Sequence, residues 1–163
     1  MFLAVLLASL SLHIHPSEID SLLRELDMSI RNRPQYTLKR QEQIDALQRK
    51  LRLSHSDQER YDLYRELFGK YRSYRMDSAL WVANQRVELA KRMKNPLYIR
   101  SAELNIAEVM IGVAMYKEGL EILDGIKSAD LDASGVSYYY YQYHQVYTLM
   151  ADYAFSDQMK EHY

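Results

Sequence analysis

The chain of 163 residues contains no cysteine. That excludes disulfides, thiolate metal centres and a cysteine nucleophile, and leaves the compartment open. Proline (three copies) and glycine (five) are scarce, so turns are few and elements long, which favours helix throughout. The formal charge is −1, from 21 basic and 22 acidic residues, and supplies no global field toward nucleic acid or anionic lipid. The apolar run Phe2–Leu12 spans eleven residues, where a membrane-crossing helix needs roughly 20.

Chemistry-bearing patterns are missing too. There is no glycine-rich phosphate loop, nucleophile elbow or paired set of catalytic carboxylates. The five histidines (His13, His15, His55, His144, His162) lack ligand spacing such as H-E-x-x-H. Asp130-Leu131-Asp132 lacks the downstream glutamate of a calcium loop. The basic residues of Arg31–Arg40 and Lys70–Arg75 are interleaved with neutral ones, as on a solvated face, so no direct nucleic-acid contact is expected. No catalytic, cofactor-binding or metal-binding residue is assigned, and the chain is not read as an enzyme.

What is present is an ordinary globular composition, 48% apolar and 26% charged, with an unusual fifteen tyrosines. Seven of these fall between Tyr138 and Tyr153. Residues 1–16 fit a secretory signal: an uncharged apolar core, then small residues (Ala8, Ser9, Ser11) near a cleavage region between Ser9 and Pro16. No basic residue precedes Arg24, and the competing reading is a buried or frayed first helix.

Residues 17–163 read as one helical domain. Ser17 is placed as the cap of a first helix carrying Ile19, Leu22, Leu23, Leu26 and Ile30, stopped at Asn32-Arg33-Pro34. A charged second helix runs from about Gln35 to Leu53. Ser56-x-x-Glu59 is a capping box opening the third. Asp77 caps a fourth, to about Met93, on which Trp81 and Arg86 lie off the apolar stripe. Asn95-Pro96 starts the fifth, with Ile99, Ala102, Ile106, Met110 and Val113 as its apolar line. Tyr116–Ile126 is the sixth. The seventh runs from near Ser137 to Ala154, with Tyr139, Tyr143, Val146, Tyr147, Met150 and Tyr153 on its inner face. Ser156–Tyr163 starts an eighth helix too short to cap a stack, so a continuation beyond this chain is expected.

Two stretches open alike. Met76 and Tyr116 are bulky, and each is followed by two polar residues, a small one (Ala79, Gly119) and a leucine (Leu80, Leu120). With Tyr153 these wedges stand 40 and 37 residues apart. The pattern resembles the tetratricopeptide repeat, whose helix pair recurs at about 34 residues. It departs in its longer period, in Tyr71 standing one residue too near Ala79, and in Glu103 at the aromatic anchor. The fold class is therefore all-α, a right-handed stack of antiparallel helix pairs. Tyr64, Tyr71, Tyr143, Tyr147 and Tyr153 are expected in the core, and Tyr138 and Tyr141 at the surface.

At family level, Ile19–Asp27, Arg33–Gln48, Tyr61–Leu80 and Tyr138–Tyr153 are similar to the amino-terminal region of exported tetratricopeptide-type transcription regulators of Bacteroidetes. That resemblance implies a sensor on the periplasmic side of the inner membrane, joined through segments outside this chain to a membrane helix and a DNA-binding region. It carries over no binding residues. The function expected is a non-catalytic module binding a protein, peptide or other ligand. A helical accessory or enzyme domain acting on carbohydrate or lipid, and a self-assembly module, are the alternatives. A binding groove would be lined by Arg65, Arg72, Glu108, Tyr138, Tyr141 and Gln145, and the end face would meet further repeats or a second copy.

Overall fold

The computed structural model describes residues 16–154 and 159–160. The signal-like run, its cleavage region up to His15 and most of Ser156–Tyr163 lie outside the described residues. All the regular structure described is helical: α1 (Pro16–Leu53), α2 (Asp57–Tyr71), α3 (Met76–Arg92), α4 (Pro96–Gly112), α5 (Tyr116–Asp124), a short 3-10 turn (Ser128–Asp130) and α6 (Ala133–Asp152).

The chain forms two compact units, residues 1–41 and 42–163. The helix α1 is unbroken through Pro34 and runs on past residue 41, so two expected helices are one of 38 residues. Pro34 removes the hydrogen bond that its N–H would give to the carbonyl of Ile30. Residues 19–39 are exposed, so water can take the donor's place at that carbonyl. Ser17 is not the cap, because the helix begins at Pro16, where a fixed φ and a missing N–H cost nothing.

The second unit is built from consecutive helices that pack on their neighbours: α2 on α3, α3 on α4, α4 on α5, and α6 on both α4 and α5. α2/α3 and α4/α5 are the two full pairs, and α6 occupies the place of a third pair's first helix. Ser56 caps α2, accepting from the Glu59 N–H at 3.0 Å, while the Glu59 carboxylate takes the Ser54 hydroxyl at 2.7 Å. Asn95 caps α4, accepting from the Tyr98 N–H at 3.2 Å, with Pro96 as the first helical residue. Asp77 does not cap α3. The helix starts one residue earlier, and Asp77 sits in its first turn, where a negative charge meets the positive helix end.

The small positions lie where helices touch. Ala79 is fully buried among Leu47, Leu67, Phe68 and Ala83. A Cβ on Gly119 would stand 2.8 Å from Ile111 Cγ1, so glycine sets how closely α5 approaches α4. α4 is covered on more sides than one stripe predicts: Ala102, Leu104, Asn105, Ala107, Val109 and Ile111 are buried, whereas Val113 is exposed. α6 begins at Ala133, four residues before the expected start, because Asp132 caps it. It turns Gln142 and Val146 inward, leaving Tyr147 and Tyr153 exposed rather than in the core.

Candidate functional site

The first helices of the successive pairs, α2, α4 and α6, line one cavity of about 420 Å³. Its floor is built on Tyr61, whose ring stacks on that of Tyr98 at 4.5 Å and whose hydroxyl donates to the Tyr98 carbonyl at 2.8 Å. α3 contributes Arg86, only 2% exposed. The guanidinium lies 4.4 Å over the Tyr61 ring; Nη2 donates to the Tyr61 hydroxyl at 2.8 Å and Nη1 to the Asn105 side-chain oxygen. Nε–H has no partner among the described residues. Burial pushes the Arg86 pKa down and the Tyr61 hydroxyl up, each shift partly offset by the other group.

Charges at the rim are paired. Arg65 meets Asp62 at 3.3 Å. Arg72 meets Glu108 at 2.9 Å, and Glu108 also accepts from the Tyr138 hydroxyl. Burial, and then the Glu108 charge, drive the Tyr138 pKa far above the ordinary phenol value. The Asp132 carboxylate is held below the usual range by the Gly135 backbone N–H at 2.7 Å and the Ser134 hydroxyl at 2.9 Å.

Four of the six residues predicted from sequence therefore come together: Arg65, Arg72 and Tyr138 line the cavity, and Glu108 ties the last two. Tyr138, expected at the surface, is half-buried, since it stands one helical turn before the inward Gln142. Tyr141 and Gln145 are not among the lining residues; Tyr141 is 59% exposed on another side of α6. Sequence reasoning missed Tyr61, Arg86, Tyr98 and Asn105 as site residues. For Arg86 a signal exists. It falls at the helical spacing of Ala79, Ala83 and Ala90, so a cation occupies the buried stripe of α3.

Helix pairs that stack in register, with first helices lining one concavity, are the architecture of a tetratricopeptide array. A family model, the SusR N-terminal TPR domain, matches residues 30–163. The chain belongs to this family. No curated protein and no solved structure matches it. In this TPR domain the matched span includes every cavity-lining residue. Among the described residues no group of three His, Asp or Glu could hold a metal ion, and no helix is long and apolar enough to cross a membrane.

Proposed function

We propose that this TPR domain is the non-catalytic sensing part of a membrane-anchored transcription regulator, exported to the periplasmic side of the inner membrane. It holds its ligand or protein partner against α2, α4 and α6. The observation that carries this reading is the convergence of three first helices on one cavity that mixes an aromatic floor with paired charges at its rim. Ligand sites are concave, largely apolar and supplied with a few placed polar groups.

Gly69 provides the test. It lines the cavity, is exposed, and nothing lies within 4 Å of where its Cβ would be. Gly69→Phe should fill the groove while leaving the fold intact. The substitution, made in the host chromosome, should keep or raise the thermal midpoint of the protein. Transcript levels should follow those of a strain lacking the gene. Transcripts that match wild type would remove the groove from any sensing role.

A second reading rests on α6, where Tyr140 and Tyr147, seven residues apart and so on one face, are both exposed. This aromatic side suits stacking on further repeats or on a second copy. Self-association that weakens in Tyr140→Glu and Tyr147→Glu, followed by sedimentation, supports it; a wild-type monomer at high concentration rejects it.

A further inference from the structure

Arg86 is the anomaly of the cavity. A guanidinium withdrawn from water needs charge compensation as well as hydrogen bonds. Its partners, the Tyr61 hydroxyl and the Asn105 side chain, are neutral, and among the described residues no carboxylate forms an ion pair with it. The other acids nearby are engaged. Asp62 pairs with Arg65, Glu108 with Arg72, and Asp132 caps α6. One positive charge is left over, on a side chain that lines the cavity and is almost wholly buried. One further feature makes the interior favourable to negative charge: the first turn of α4 (Leu97, Tyr98), capped by the neutral Asn95, lines it.

We infer that the cavity binds a ligand through a single carboxylate, which seats against the Arg86 guanidinium while the ligand body lies on the Tyr61, Phe68 and Tyr138 walls. A monoanion is specified over a dianion. A second negative charge would face Asp62 and Asp132 at the same cavity, where among the described residues the other lining cations, Arg65 and Arg72, are already ion-paired. The planar fork of arginine suits a carboxylate in particular. The volume, about 420 Å³, falls in the range of small-molecule sites, which favours a small organic acid over a long segment of protein. This inference deepens the sensing role proposed above and rests on it.

The test uses the full chain labelled with ¹⁵N, following the Arg86 Nε–H cross-peak by NMR. Sodium benzoate is the small-acid probe and tetra-alanine with a free carboxyl end is the peptide probe. Each is set against its own amide and against sodium chloride at matched ionic strength. Benzoate should shift the Arg86 signal in a saturable way, with benzamide and chloride without effect. A shift with tetra-alanine alone would keep the carboxylate site and assign it to a chain end. Arg86→Gln, followed instead through the backbone amide signal of Asn105, which lines the same cavity, should abolish the response. Because that buried substitution can also unfold the domain, Arg65→Glu at the exposed rim serves as the second variant and should weaken benzoate binding several-fold. An Arg86 signal unmoved by both acids, an equal response to the amides or to chloride, or unchanged benzoate affinity in Arg65→Glu each overturns the proposal. The two tests fail separately. A carboxylate response without a transcript effect of Gly69→Phe would sink the sensing role alone, and the reverse would sink the carboxylate alone.

Discussion

Single residues here have signs that the local backbone decides. Gly69 and Gly119 are both helical, yet alanine should act on them oppositely. At Gly69 nothing opposes the new methyl, so Gly69→Ala should stabilise by about 0.5–1 kcal/mol through helix propensity. At Gly119 the methyl meets Ile111 at 2.8 Å, and overpacking of this kind costs about 1–3 kcal/mol. Urea midpoints of the two variants should therefore move in opposite directions. Ala114 offers a third case. It follows α4 with a φ of 63°, as Lys94 follows α3 with 51°. Both turns close alike: Ala114 N–H bonds the Ile111 carbonyl and Met115 N–H that of Met110, matched by Lys94 to Lys91 and Asn95 to Ala90. These are helix ends that glycine normally occupies, and a Cβ in the left-handed region costs roughly 1–2 kcal/mol. Ala114→Gly should raise the thermal midpoint, and a fall would mean that its methyl makes a contact outweighing that strain.

Between elements, the clasp of α2 to α3 depends on pH. Arg92 near the end of α3 donates to both carboxylate oxygens of Asp57 at the start of α2, at 2.8 and 3.2 Å. The guanidinium holds the Asp57 carboxyl below its usual range. The unfolded chain therefore binds the proton more readily, so the contribution is present above the ordinary carboxylate pKa and is lost as pH falls through the lowered one. Both groups are exposed, so the effect should be small and screened by salt. In urea titrations taken from neutral pH down to acid, Asp57→Asn should lose less stability than wild type; identical slopes would mean that the pair does not couple to folding. Most of these elements are legible in the chain, because capping residues and apolar periodicity are local signals: Ser56 and Asn95 cap where they were expected, and Ala102 and Val146 are buried as their stripes require. What fails is what locality cannot decide. Pro34 reads as a stop, but an exposed helix can solvate the carbonyl it frees. Asp132 reads as loop, but one N–H from Gly135 makes it a cap. At the site, Arg65, Arg72, Glu108 and Tyr138 are legible as polar or aromatic residues on first helices. Asn105 is not, since an amide within a helix is ordinarily solvated, and Arg86 is marked only by its spacing with Ala79, Ala83 and Ala90; the packing of α2 and α4 onto α3 withdraws both from bulk water.

Across the whole molecule, tertiary burial is divided unevenly. From residue 19 to residue 39 every side chain is exposed, including Ile19, Leu22, Leu23, Leu26 and Ile30, whereas the core begins at Ile44 and Leu47. Helical hydrogen bonds alone leave a segment near the margin of stability in water, and Pro34 removes one of them. Opening of α1 before residue 42 should thus require far less free energy than opening of the helix pairs, where burial makes unfolding cooperative. Limited trypsin digestion of the isolated chain should cut first after Arg24, Arg31 and Lys39, leaving a resistant fragment that contains residues 42–154. Protection of Arg24 and Arg31 equal to that of the pairs would mean that the Ile19–Ile30 stripe is covered in solution by another surface. A second copy is then the first occupant to test, because protection that disappears on dilution would identify it.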